Sequence, residues 1–181
     1  KLREDLEEML RRSEKHIRDL VKRSEETSRD SNRHIEKLLK DSRKTIEDLK
    51  RKIEDLARKG KLDEKLLEEV RRLLEEIRKR SEKVIEDARR LNKRSDEETK
   101  RIVREADELN KEVKDRADRI RKRELLERLI RELKRLNEEI AKKLEDLNRE
   151  DRRLNEEIAK RLRDLNEELK KLVEDIERRA R

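Results

Sequence analysis

The sequence predicts an all-α protein: a long, nearly untwisted, up-down-up three-helix bundle built on eighteen-residue repeats. Three observations predict it. Apolar residues keep helical spacing from end to end, with no Pro and one Gly in 181 residues to interrupt them. Equivalent residues return every eighteen positions, which is five turns of a 3.6-residue helix, so each copy points the same way. Three segments of nearly equal length, about 85–90 Å each when helical, follow one another and can fold back side by side as one domain over 1–181.

The composition tolerates this architecture and little else. With 29% hydrophobic and 60% charged residues the chain resembles a disordered one until its periodicity is read. A thin helical bundle needs only a narrow apolar stripe on each helix. The 58 basic and 50 acidic residues are interleaved, and pairs such as Glu7/Arg11, Glu36/Lys40 and Glu68/Arg72 stand at i, i+4 in the favourable order, as on a solvated helix surface. Basic clusters at 116–123 and 178–181 come without a single aromatic residue, so weak, salt-sensitive association is expected and specific nucleic-acid recognition is not. Cysteine is absent, which removes disulfide and thiolate chemistry without fixing a compartment. No apolar run approaches the roughly 20 residues of a membrane span and no signal-peptide core is present, so a soluble chain without a membrane partner is expected.

The first helix, about 2–59, carries its stripe from Leu2 to Leu56 in fifteen steps over fifty-four residues. That period of 3.6 predicts very little supercoil. Within it lies an aliphatic-free stretch, Lys22 to His34, flanked by two copies of one pattern: Ser13-x-x-His16-Ile17-x-x-Leu20 and Ser31-x-x-His34-Ile35-x-x-Leu38. Gly60 suits the left-handed residue past a helix end, Asp63 suits an N-cap, and Leu62 can staple onto Leu67.

The second helix, about 63–121, repeats Leu66/Leu67, Val84/Ile85 and Ile102/Val103 at the same step. After Ile120 the stripe shifts phase by about two residues, which requires a turn between about Arg121 and Glu124 although no Gly, Pro, Asn or Ser marks it. Either the loop is tight, or the chain runs straight on and the last segment packs in another subunit. The third helix, about 124–180, contains Leu136-Asn137-Glu138-Glu139-Ile140-Ala141 and repeats it at Leu154 to Ala159, with Leu147-Asn148 and Leu165-Asn166 as a second pair.

Folding the chain near residues 61 and 122 sets polar residues of the three helices level. His16 meets Ala106 and the neighbourhood of Asn137 and Ala141; His34 meets Ala88, Asn155 and Ala159. Ser24 and Thr27 fall level with Ser95, Thr99, Asn148 and Asp151, and Ser42 with Ser81 and Asn166. The expected polar core is therefore His16 with Ser13, Asn110 and Asn137; His34 with Ser31, Asn92 and Asn155; and the serine, threonine and asparagine layers between and beyond them. Such layers penalise a helix that slides by one repeat, because amides and hydroxyls would then face hydrocarbon at roughly 1–3 kcal/mol each. Asp151 takes the place in its repeat held by Leu133 and Leu169, and is expected as a partly solvated carboxylate paired with a nearby arginine.

Other chemistry is not indicated. The two histidines, about 27 Å apart on one helix, have no second His or Cys to share a metal. The serines lie on helices without an oxyanion loop, so neither catalysis nor a cofactor is expected. The idealised repeats, the Leu-Asn steps at Leu136-Asn137 and Leu147-Asn148, and the Glu/Lys/Arg-filled surface resemble computationally designed (de novo) helical bundles with buried hydrogen-bond networks, a class that includes latch-and-cage switches and histidine-containing pH-responsive bundles. The resemblance covers the whole chain and is one of style, since that class has no motif. It implies a structural scaffold without natural activity, for which localisation means no more than recombinant cytoplasmic expression. Two alternatives remain: a pH-responsive self-assembling bundle or filament subunit switched by His16 and His34, or one half of a designed helical heteromer, with Ile130, Ala141, Ala159 and Val173 beside the asparagines as its candidate contact stripe.

Overall fold

The computed structural model describes residues 1–180; Arg181 lies outside the described residues. Three helices make an all-α three-helix bundle: α1 (Leu2–Arg58), α2 (Glu64–Arg119) and α3 (Arg123–Arg179). The expected boundaries agree within two residues.

The first turn follows from local chemistry. Gly60 adopts φ 65°, a conformation that costs any residue with a Cβ. Its N–H donates to the Ala57 carbonyl at 3.1 Å, and the Lys61 N–H donates to the Leu56 carbonyl at 3.0 Å, the double closure that consumes the last carbonyls of a helix. Asp63 then opens α2, its carboxylate accepting from the Leu66 N–H at 2.7 Å. Leu62, half-buried between them, packs on the neighbouring core.

The second turn, Ile120 to Lys122, is real and begins earlier than the expected 121–124. It needs no glycine because none of its residues adopts a positive φ, and the Arg3 guanidinium donates to the Ile120 carbonyl at 2.9 Å. Direct α2–α3 contacts, among them Lys143 to Glu105 at 3.2 Å, place the third helix against its own chain and remove the alternative of packing in another subunit.

Two compact units divide the chain. The first comprises Lys1–Ser28 with Asn92–Arg152, and the second Arg29–Leu91 with Arg153–Arg181. The divisions fall in or beside the aliphatic-poor stretches of each helix, where little hydrocarbon is present to tie neighbouring layers together. In the first unit, Leu6, Leu10, Val113, Ala117, Leu126, Leu129 and Leu133 form one core cluster and Ile17, Leu20, Ile102, Ala106, Ile140 and Leu144 another, each fed by all three helices. In the second unit, Leu49 and Leu169 are wholly buried within a cluster that also takes Val70, Ile77 and Ile176.

Candidate functional site

The structure sorts the polar residues inside these cores into three kinds. The first kind is a buried side-chain pair. In the first unit, Ser95 of α2 donates its hydroxyl to a carboxylate oxygen of Asp151 of α3, and both residues are buried, as is Ser24 of α1. Asp151 is thus buried rather than partly solvated as expected. It sits on the inner stripe at the leucine position of its repeat, and position outweighs chemistry. Burial raises the Asp151 carboxyl above its ordinary value; Glu150 pushes the same way, while the Ser95 hydrogen bond and Arg94 oppose the shift without cancelling it.

The second kind is an amide tied to backbone. Asn148 donates to the Leu20 carbonyl at 3.5 Å in the first unit, and Asn166 donates to the Leu38 carbonyl at 3.4 Å in the second. Both bonds run from α3 to α1 with the same offset of 128 residues. They are long bonds and correspondingly weak. Leu20 and Leu38 were not legible as partners, because a helix carbonyl already engaged in its own ladder carries no sequence mark of its spare lone pair.

The third kind is a buried polar atom without a hydrogen-bond partner in the protein: both amide atoms of Asn110, both of Asn137, and the Ser81 hydroxyl. The expected networks around the histidines are therefore corrected. His16 and His34 are exposed, and Asn110 and Asn137 do not close a network with His16. Each histidine precedes a buried isoleucine, Ile17 or Ile35, and one residue turns the helix by about 100°, which carries the imidazole from the stripe to its solvated flank. Ser13, Thr27, Ser31, Ser81, Asn92, Thr99, Asn148 and Asn166 are half-buried, whereas Ser42 and Asn155 join Ser24, Ser95, Asn110, Asn137 and Asp151 among the buried residues.

Each unit has a groove between α1 and α3. The one in the first unit, about 400 Å³, is lined by Met9, Ser13, His16, Asn137 and Ala141 among others. That in the second, about 580 Å³, is lined by Thr45, Leu49 and Val173 with charged residues around them. Among the described residues no group of three or more His, Cys, Asp or Glu is placed to hold a metal, and no helix is long and apolar enough to cross a membrane. No protein-family model, curated protein or solved structure matches the chain.

Proposed function

We propose that the chain is a de novo designed structural scaffold, a helical bundle without chemistry of its own whose polar core residues fix the register of the helices. The observation that carries this reading is Asp151. A carboxylate replaces the leucine of Leu133 and Leu169, both wholly buried, so a large desolvation cost is accepted at a place where the repeat already supplies a better-packed residue. A residue of that kind lowers stability and raises discrimination, since only one alignment brings Ser95 opposite it. The repeated asparagine-to-carbonyl contacts support the same reading, because they tie α3 to α1 at one offset. Idealised repeats and solvated i, i+4 charge pairs such as Arg12–Glu8 and Arg90–Glu86 are what a design for a single fold supplies.

Light scattering coupled to size exclusion tests this at pH 7.4 and again at pH 4.5. A self-sufficient scaffold runs as a 22.3 kDa monomer at both values. An oligomer at neutral pH that dissociates in acid would overturn the reading in favour of an assembly switch.

A further inference from the structure

Two buried amides of the first unit stand level across the α2–α3 contact. Lys143 pairs with Glu105 and Asp151 accepts from Ser95, which fixes the antiparallel register of the two helices. Six residues back from Lys143 and six on from Glu105 lead to Asn137 and Lys111; fourteen back from Asp151 and fourteen on from Ser95 lead to Asn137 and Leu109. Asn137 of α3 therefore faces Asn110 of α2, the buried residue between Leu109 and the exposed Lys111. Both asparagines are buried, yet Nδ2 and Oδ1 of each have no hydrogen-bond partner within the protein. Their surroundings supply none. One turn to one side, Val113 and Leu133 belong to one apolar cluster; one turn to the other, Ala106 and Ile140 belong to the next. Donors and acceptors of two amides are thus enclosed between layers of hydrocarbon, an arrangement that buried polar groups rarely keep.

We propose that Asn110 and Asn137 hold one internal water molecule between α2 and α3. The hydrogen-bond inventory selects it. A water accepts two hydrogen bonds and donates two, so it takes one N–H from each amide and gives one O–H to each amide oxygen, and all four orphaned atoms gain a partner at once. A cyclic pair of amides would also meet all four, but the two side chains, level as they are, make no hydrogen bond with each other. Ser95 and Asp151, the other polar pair across this contact, do bond directly and need no third party. Space and charge point the same way. Ala106 and Ala141, each one turn from an asparagine, fill less of the core than a leucine would, and a water takes about 30 Å³. Neither amide is charged, so the site favours a neutral molecule over an ion. With Asn110 4% and Asn137 8% exposed, it admits nothing much larger than water.

The test is NMR on the full, isotope-labelled chain. Water-to-protein NOE spectra should show cross-peaks from the Nδ2 groups of both asparagines to the water resonance, with the sign of a molecule that tumbles with the protein. The cross-peaks should persist in Ser13→Ala, which removes the hydroxyl that lines the same groove as Asn137 and could relay exchange. Oxygen-17 relaxation dispersion should count one long-lived water fewer in the double variant Asn110→Leu, Asn137→Leu than in the parent. Three results would overturn the site. The first is the absence of a water cross-peak at both amides of the parent. The second is a scalar coupling across a hydrogen bond from Nδ2 of one asparagine to Cγ of the other, the mark of a direct amide pair. The third is an unchanged count of long-lived waters in a folded double variant. The first two are read on the parent chain and hold even where the double variant does not fold.

Discussion

The Ser95 hydroxyl donates to the Asp151 carboxylate across the α2–α3 contact of the first unit, with both residues buried. A serine can hydrogen-bond either form of the acid, but it cannot replace the solvation that an ionised carboxylate loses on burial. The pair is therefore satisfied in geometry and still costly in electrostatics.

A pH dependence follows. The folded carboxyl of Asp151 is raised, chiefly by burial, so between its ordinary value near 3.8 and its folded value the folded protein binds more protons than the unfolded chain. The penalty is absent in acid below the unfolded value, grows as pH rises through this window, and is constant above the folded value. Urea denaturation from pH 3 to pH 8 should show the parent losing stability relative to Asp151→Asn as pH rises. A difference between the two that does not change with pH would contradict the burial of this acid.

Removing the donor should be worse than removing the acid. Ser95→Ala leaves a buried carboxylate without that hydroxyl and should cost about 1–3 kcal/mol at neutral pH. Asp151→Leu, which restores the residue type of Leu133 and Leu169, should raise the melting temperature instead. Differential scanning calorimetry of the two variants distinguishes them by sign.

The turns should respond as their different constructions imply. Gly60→Ala meets no neighbour within 4 Å, so its cost is conformational, about 1–2 kcal/mol for forcing a Cβ into the left-handed region. Asp63→Ala should cost about 1 kcal/mol through the lost cap at the Leu66 N–H. Arg3→Ala should cost about 0.5–1.5 kcal/mol although it lies 117 residues from the carbonyl it caps, and chemical denaturation resolves all three.

Core and surface should differ sharply. Leu133→Ala or Leu169→Ala, each at a wholly buried position, should cost about 2–5 kcal/mol by thermal melting. Breaking an exposed interhelical ion pair, Arg80→Ala against Glu168 or Lys52→Ala against Glu177, should cost less than about 1 kcal/mol and still less at high salt.

How far the sequence carries depends on whether a feature is local. The helices and the Gly60 turn were legible because period, a left-handed glycine and an N-cap aspartate all act within a few residues. The turn at Ile120 to Lys122 was legible only through the phase of the stripe, since its cap comes from Arg3. Which member of an inward-facing doublet reaches the core was not legible: His16/Ile17 and His34/Ile35 share a face at the resolution of a helical repeat, and only the isoleucines are buried. Asn110 and Asn137 show the same limit. Their burial follows from periodicity, whereas hydrogen bonding depends on side-chain reach across the interface, which spacing does not encode.

If the asparagine-to-carbonyl contacts help hold α3 to α1 in one register, a double substitution releases that hold. Asn148→Leu with Asn166→Leu removes both asparagine-to-carbonyl contacts while adding apolar surface. Amide NMR correlation spectra of the parent should show one set of resonances, and those of the double variant more than one set, from helices paired at alternative offsets, with a melting temperature at or above the parent's. A double variant that keeps a single set of resonances would contradict the register role of these residues.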